Sequence, residues 1–244
     1  MIRVGTSGWQ YADWRGGFYP PKLPQRLWLS AYAESFDTVE VNSSFYRLPK
    51  LDTVQRWAET VPDGFVMAMK ASRYLTHIKR LREPAEPVQR LMGVLSPLRS
   101  RGLLGPVLVQ LPPDLQAELG RLDQTLAAFP PDVRVAVEPR HESWFTEDLR
   151  RMLTDRGAAM VWADRGGRSL GPLWRTADWT YLRLHHGRVD WGYDDRDLAR
   201  WVTELGPAAT GYVYANNDPG GAAVRDARRL RTMLSARSQP AARL

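Results

Sequence analysis

The chain has 244 residues, no cysteine and a formal net charge of +7. This length fits one large α/β barrel or two small domains, and it suffices to bury a core, which excludes a disordered protein. The lack of cysteine excludes disulfides, thiolate metal sites and cysteine nucleophiles. No apolar run approaches a membrane span, and the segment MIRVGTSGW does not resemble a signal peptide. We therefore expect a cytoplasmic protein that does not bind membranes.

The positive charge of the chain comes mostly from arginine. Of the 34 basic residues, only Lys22, Lys50, Lys70 and Lys79 are lysine, and the other thirty are arginine. Arginine binds phosphate in a bidentate manner and stacks on flat rings, and the chain also carries ten tryptophans and nine tyrosines. This composition favours a polyanionic ligand. The alternative is that genome composition selected arginine over lysine, with no functional meaning.

Eight short apolar segments predict β-strands. They recur at intervals of about 30 residues, which is the length of one strand plus one helix. The predicted strands are Ile2–Thr6, Thr38–Asn42, Phe65–Ala71, Val107–Leu111, Val133–Glu138, Ala159–Ala163, Thr180–His185 and Gly211–Ala215.

Apolar residues at helical spacing follow seven of these eight segments, and Thr146 and Gly157 are suited to cap the fifth helix. The connection RGGRSLGPLWRTAD after the sixth strand is rich in glycine and has no helical pattern. The alternation predicts an α/β fold, a single TIM-type (β/α)8 barrel over residues 1–234 with an irregular connection after the sixth strand. Residues 235–244 are predicted to form a flexible tail. A doubly wound open sheet is the alternative, although no GxGxxG or Walker A motif follows a strand.

Side chains alternate along each predicted strand, and the uniformly apolar face is expected to pack against the helices. The other face then lines the barrel, and it is polar where the strands end. A buried ion network and a ligand site both explain such a polar layer, and the two are compatible. The residues predicted to point inward at the carboxyl ends are Glu40, Asn42, Lys70, Gln110, Glu138, Asp164, Arg183, His185 and Asn216.

Two segments at strand ends carry candidate chemistry. The segment VEPRHESW places Glu138 and His141 close together, which suits an acid–base pair or a pair of metal ligands. The segment YANNDPGGAA places Gly220 and Gly221 at the start of a helix, where free N–H groups bind phosphate. The alternative there is that Asp218 caps the helix, with Pro219 as its first residue.

A divalent metal is compatible with the acidic and histidine residues at the strand ends, but no HExxH or comparable spacing supports one. The sequence therefore identifies no cofactor and no oligomeric state. A metal cluster would draw on Glu40, Glu138, His141, Asp164 and His185.

Several of these motifs occur together and in order: GTSGWQYADW, TVEVNSSFYRLP, KASRYLTH, QLPP, EPRHESW, LRLHHG and YANND. In this the chain resembles the YecE-like family, domain of unknown function number 72, from Gly5 to about Leu234. The resemblance implies a TIM-type barrel and supplies no activity. It implies a shared cleft lined by Trp9, Glu40, Asn42, Tyr46, Lys70, His77, Gln110, Glu138, Arg140, His141, Trp144, Arg183, His185 and Asn216.

Three functions remain open at this point. The first is binding of an anionic, phosphate-containing ligand such as nucleic acid, with phosphodiester hydrolysis as one activity. The second is an enzyme for a small phosphorylated or sugar-like substrate, with Glu138 or His141 as base and Lys70 or Arg183 holding the anion. The third is a non-catalytic interaction protein. A basic stripe across the barrel mouth would favour a polymer, and basic residues confined to a pocket would favour a small molecule. The candidate catalytic residues are Glu40, Lys70, Glu138 and His141.

Overall fold

A computed structural model describes residues 1–188, 190–207 and 209–238. The strands are β1 (Ile2–Thr6), β2 (Thr38–Val41), β3 (Val66–Lys70), β4 (Leu104–Gln110), β5 (Val135–Glu138), β6 (Ala159–Arg165), β7 (Arg168–Ser169), β8 (Thr180–Leu184) and β9 (Gly211–Ala215). Eight of them are parallel and form a nearly closed barrel in the order β1-β9-β8-β6-β5-β4-β3-β2, and β7 pairs with β6 in the antiparallel sense. The predicted TIM-type barrel is thus confirmed.

Helices surround the barrel and connect most of its strands. Thr146 caps α7 as predicted, since its hydroxyl accepts the N–H of Leu149 at 3.3 Å. Only the short β7 and loops connect β6 to β8, which confirms the irregular connection. The helices are α1 (Trp28–Ala33), α2 (Ser43–Tyr46), α3 (Leu51–Thr60), α4 (Ala85–Val94), α5 (Ser96–Ser100), α6 (Leu119–Ala127), α7 (Glu147–Asp155), α8 (Asp195–Leu205) and α9 (Ala222–Ser238).

The last helix, α9, continues past the start of the predicted tail at residue 235 and reaches Ser238. Residues 239–244 of that predicted tail lie outside the described residues. Within the described ranges, no helix has both the length and the apolar character that crossing a membrane requires.

The alternation of side chains follows the prediction on most strands. Val39, Met67 and Val137 pack outward in the core beneath the helices, whereas Ala136 and Tyr181 belong to a separate cluster inside the barrel. One face of these strands therefore packs against the helices, and the opposite face fills the barrel interior.

The prediction for Asp164 is wrong. On β6, Val161 packs inside the barrel and Trp162 packs outside it, so Asp164 shares the outward face of Trp162. Its carboxylate accepts the indole N–H of Trp201 on α8 at 3.0 Å. Both faces of β6 are apolar, so the sequence pattern did not distinguish the face toward the helices from the face toward the interior.

The barrel closes between β1 and β2 through a side chain. The Tyr32 hydroxyl accepts the N–H of Thr6 at 2.9 Å and donates to the carbonyl of Thr38 at 3.0 Å. The strands approach so closely here that a Cβ on Gly5 would lie 2.2 Å from the Thr38 oxygen. Further along, the N–H of Gly8 donates to the Glu40 carbonyl at 2.8 Å. Tyr32 thus holds together the one seam where the strand ladder is incomplete.

We expect the substitution Tyr32→Phe to lower the free energy of unfolding by about 1–3 kcal/mol, because it leaves a buried N–H and a buried carbonyl without a partner. Urea denaturation measures this change. Tyr74→Phe is the control, because the Tyr74 side chain is partly exposed and its hydroxyl forms no hydrogen bond to any described residue. Equal stability of the two variants would contradict the role of Tyr32 at the seam.

Candidate functional site

The polar layer of the barrel is organised around one buried guanidinium. Arg183 lies on β8 and is only 1% exposed. It donates to Glu40 on β2 at 2.8 Å and to Glu138 on β5 at 2.8 Å. Two carboxylates from distant strands therefore meet one cation across the interior. The carboxylates raise the pKa of Arg183 even though burial alone would lower it.

Glu40 is fully buried, and all of its contacts keep it ionised. The Tyr181 hydroxyl donates to one of its oxygens at 2.6 Å, and the Ser7 hydroxyl and Arg183 donate to the other. Burial would raise the pKa of Glu40, but Arg183 and these hydroxyls outweigh burial and hold the pKa below its usual range.

Glu138 accepts from four side chains. Gln110 and Arg183 donate to one oxygen at 2.9 and 2.8 Å, and Arg140 and His185 contact the other at 2.7 and 2.9 Å. Burial opposes ionisation, yet Arg183, His185 and Arg140 hold the pKa of Glu138 well below its usual range. Its lone pairs are fully occupied, so this carboxylate is poorly suited to act as a base near neutral pH.

His185 connects this network to the rim of the barrel. Its Nε2 faces Glu138 at 2.9 Å, and its Nδ1 faces the amide nitrogen of Asn216 at 3.1 Å. The neutral tautomer with the proton on Nε2 satisfies these two contacts, and the Arg140 nitrogen that lies 3.0 Å from the same Nε2 then donates to Glu138. Burial lowers the pKa of His185 despite the neighbouring carboxylate, which agrees with a neutral imidazole.

Lys70 ends β3 beside the ion network without joining it. It is 6% exposed, and its ammonium nitrogen lies 4.0 Å from the centre of the Phe45 ring. No described residue forms a hydrogen bond or an ion pair with this nitrogen. Burial lowers its pKa to about 8, and Arg183 adds to that effect. Lys70 is therefore a cation whose charge no neighbouring carboxylate is free to balance.

A cleft of about 330 Å³ opens at this end of the barrel, between the loops that follow β1 and β2. Asn42 lines it, and the side-chain oxygen of Asn42 is buried without a hydrogen-bond partner. The Nε of Arg140 is likewise buried and unpaired. Unsatisfied polar atoms at a barrel mouth favour a ligand site there. The cleft is lined by Gly8, Trp9, Gln10, Tyr11, Asn42, Ser43 and Tyr46.

A larger cleft of about 690 Å³ lies at the opposite, amino-terminal end, near Ile2, Pro207 and Arg231. The one carboxylate that lines it, Asp37, is half exposed and paired with Arg3 at 2.6 Å. It contains none of the buried ionisable groups of the other end, and barrel enzymes carry their chemistry at the carboxyl end. We therefore place the candidate site at the carboxyl end.

His77, one of the cleft residues that the family resemblance implies, lies near Lys70 and is half buried. Its ring contacts the Phe45 ring edge-on at 4.9 Å, and its Nδ1 lies 2.8 Å from the Thr76 hydroxyl. Burial, followed by the charges of Lys70 and Arg73, lowers its pKa.

Three other predicted residues have packing or local roles. Trp9 is 3% exposed and packs edge-on against Trp57, so its ring cannot stack on a ligand. Trp144 is fully buried, and its indole N–H donates to the Leu115 carbonyl at 2.7 Å. His141 contacts Ser143 rather than Glu138, so the imidazole beside that carboxylate is His185.

The turn at Gly220 and Gly221 is already satisfied internally. The N–H of Gly220 donates to the Asp13 carboxylate at 3.2 Å, and the N–H of Gly221 donates to the Asp218 carbonyl at 3.0 Å. The Asp218 carboxylate accepts from the Trp14 indole at 2.8 Å and makes no side-chain cap. Burial and Asp13 raise the pKa of Asp218 to about 7. With both N–H groups engaged beside two carboxyl groups, this turn is unsuited to phosphate, and we leave it out of the site.

No group of three or more histidine, aspartate or glutamate side chains that could hold a metal ion occurs among the described residues. The outward position of Asp164 removes one of the ligands that the sequence suggested.

Three residues that were not predicted as site residues contact the network or Lys70: Ser7, Phe45 and Tyr181. Alternation along β1 and β8 places Ser7 and Tyr181 on the inward face, so that pattern could have identified them. Phe45 lies on the short helix α2, which no periodicity in the sequence predicts.

The model of the family described as protein of unknown function DUF72 matches residues 3–243. The chain belongs to the DUF72 family. The UPF0759 protein YecE of Escherichia coli O157:H7 is 32% identical over 171 residues, which cover 67% of this chain and 59% of that protein. The UPF0759 protein YunF of Bacillus subtilis is 24% identical over 96% of this chain and 95% of its own length.

A solved DUF72 structure from Thermotoga maritima has the same fold. It superposes with a TM-score of 0.85 at 26% identity and covers 96% of this chain and 99% of its own. The family description states no activity, so the chemistry of this DUF72 barrel must be inferred from its own residues.

In this DUF72 barrel we expect the substitution Glu138→Gln to lower the free energy of unfolding by about 3–5 kcal/mol, because it removes one carboxylate from a buried ion network. Urea denaturation at neutral pH measures the change. Glu142→Gln is the control, because Glu142 is exposed and forms no ion pair with a described residue.

The unsubstituted protein and Glu138→Gln also test how this stabilisation depends on pH. Because folding lowers the pKa of Glu138, its contribution is complete above the ordinary glutamate pKa and is lost as the pH falls through the folded value. The stability difference between the unsubstituted protein and Glu138→Gln should therefore shrink in acid. A difference that is small at pH 7, or that grows in acid, would show that Glu138 is not part of a buried ion network.

Proposed function

We propose that the carboxyl end of this barrel binds an anionic, phosphate-containing ligand, with Lys70 and Arg140 as its cations. The main support for this proposal is that the charges of the buried polar layer do not balance. Arg183, Arg140 and Lys70 are three cations, whereas Glu40 and Glu138 are two carboxylates, both of which contact Arg183. An anion bound beside Lys70 would balance its charge, which is costly to bury alone.

The distribution of arginines supports this site more than the total charge does. Many arginines form ion pairs between neighbouring strand–helix units, as Arg99 does with Asp132 at 2.6 Å and Arg156 with Asp123 at 2.7 Å. Such arginines are structural. The exposed arginines whose side chains form no ion pair or hydrogen bond with described residues include four at the carboxyl end, Arg47, Arg73, Arg165 and Arg168.

Exposed aromatic rings share this rim and favour an extended ligand. Tyr46 is 71% exposed, Trp191 is 52% exposed and Tyr74 is 41% exposed, and all three lie in the segments that follow strands at the carboxyl end. Rings beside unpaired arginines are typical of surfaces that bind single-stranded nucleic acid. Single-stranded nucleic acid is therefore the polymer form of the proposed ligand. The rings that suit stacking are Tyr46, Tyr74 and Trp191 rather than the buried Trp9.

A small-molecule enzyme is the second candidate, and Lys70 is the observation that favours it. The hydrogen bonds that hold Glu40 and Glu138 ionised make both carboxylates weak bases. Lys70 has a pKa lowered to about 8, which brings its amine within reach of proton transfer near neutral pH. In this candidate function Lys70 takes the role that the sequence analysis gave to Glu138 or His141.

We expect Lys70→Met to weaken the binding of inorganic phosphate and of a fluorescein-labelled single-stranded DNA by about tenfold or more, as the loss of a charged hydrogen bond would. Calorimetry and fluorescence anisotropy at two salt concentrations measure these affinities. Arg151→Met is the control, because it removes one charge from an exposed position on α7. Absence of binding at low salt, or equal weakening by both variants, would overturn the proposal.

The rim can be tested separately. Tyr46→Ala should weaken single-stranded DNA binding by about 1–3 kcal/mol through lost stacking, and the loss should persist at high salt. Arg73→Ala should weaken DNA binding mainly at low salt. An arginine that contacts a phosphate contributes affinity through the release of counterions, and added salt reduces that contribution. If both variants bind DNA normally while Lys70→Met loses phosphate, the ligand is a small molecule confined to the cleft.

A further inference from the structure

We propose that Lys70 forms an imine with a small phosphorylated aldehyde or ketone bound at the mouth of the barrel. This inference rests on the proposed anion site, because the phosphate of the substrate would be held there. It assigns to Lys70 a covalent role that charge recognition alone does not require.

The choice of residue is the first argument. The chain uses arginine at thirty of its 34 basic positions. Among the described residues of the buried layer, however, the cation that has no partner carboxylate is a lysine. A guanidinium stays protonated and binds phosphate through two hydrogen bonds, so arginine would serve anion binding as well or better. Only the amine of lysine can lose its proton and attack a carbonyl carbon.

The surroundings of Lys70 are the second argument. Its nitrogen rests on the Phe45 ring, and the carboxylates nearest to it are already engaged by Arg183. An apolar contact together with neighbouring cations is the setting that activates a lysine nucleophile. The charged and titratable groups that act on Lys70 are Glu40, Glu138, Arg140, Arg183 and His77.

These influences partly cancel. Burial, Arg183 and Arg140 lower the pKa of Lys70, whereas Glu40 and Glu138 raise it, and the resulting pKa is about 8. About a tenth of the amine is then neutral at pH 7, compared with well under a thousandth for a lysine of ordinary pKa.

The reaction is balanced without any further reagent. The neutral amine attacks the carbonyl carbon, and one of its two protons moves to the former carbonyl oxygen to give a carbinolamine. The hydroxyl then leaves with the second nitrogen proton as one molecule of water, and a carbon–nitrogen double bond remains. The cleft of about 330 Å³ has the volume of a small-molecule site. Lys70 does not itself line this cleft, but its nitrogen lies over the Phe45 ring, which contacts the ring of the cleft residue Tyr46 at 5.1 Å. The substrate would therefore reach from the cleft to Lys70, with the unpaired side-chain oxygen of Asn42 as a partner for one of its hydroxyls.

The other lysines provide an internal comparison. Lys22 and Lys50 are exposed, and Lys79 forms an ion pair with Glu83 at 2.7 Å that raises its pKa. With only four lysines, a single peptide map reports the reactivity of each one.

The test is reductive trapping. The full chain is treated briefly with pyridoxal 5′-phosphate at pH 7, reduced with borohydride and mapped by mass spectrometry. We expect Lys70 to be labelled at least tenfold faster than Lys22, Lys50 and Lys79. Inorganic phosphate should compete, and pyridoxal without the phosphate should label Lys70 more slowly. Equal labelling of all four lysines, or labelling of Lys70 that ignores phosphate, would overturn the proposal.

Lys70→Arg and Lys70→Met separate this proposal from the anion site. Both remove the reactive amine, and Lys70→Arg keeps the charge, so it should bind inorganic phosphate more tightly than Lys70→Met while neither is labelled at residue 70. Thermal melts report whether each variant folds. If the unsubstituted protein binds phosphate but Lys70 is not trapped, the imine alone is refuted. If it does not bind phosphate, the anion site itself is refuted.

Discussion

The carboxyl end of this barrel depends on the two ion pairs that Arg183 forms. One guanidinium joins carboxylates from β2 and β5 across the interior, at 2.8 Å to each. Three ions removed from water are stable only when their charges and hydrogen bonds are mutually satisfied. Tyr181, Ser7, Gln110 and the other partners of these carboxylates provide that satisfaction. The side-chain positions of the whole polar layer follow from this requirement.

The same network determines which groups remain free for chemistry. Because Glu40 and Glu138 are engaged on nearly every lone pair, they act as fixed negative charges and hold Arg183 and Arg140 in place. Lys70 is left with an aromatic ring as its contact, and no carboxylate in the described part of the chain pairs with it. The group of this site that is available for chemistry is therefore the Lys70 amine beside a cleft suited to an anion, and not a pair of acid–base carboxylates.

Sequence periodicity predicted the barrel and most inward-facing residues, because alternating side chains report which face of a strand is buried under helices. It was wrong for Asp164, since both faces of β6 are apolar. The partner of Glu138 is His185, 47 positions away, and not His141, three positions away, because neighbouring strand ends meet only in the folded barrel. Aromatic loop residues were equally ambiguous. Trp9 and Tyr46 both occur in predicted loops, but only packing shows that Trp9 is covered and Tyr46 is exposed.

Lys70 is a buried cation that no carboxylate in the described ranges of the chain compensates. Carbon-detected NMR of the four lysine side chains, followed over pH and assigned by the resonance missing in Lys70→Arg, tests it directly. We predict that Lys70 titrates near pH 8, well below the ordinary lysine pKa of about 10.4. Titration of Lys70 at about pH 10 or above would show that its amine is solvated or paired, and it would contradict the structure described here.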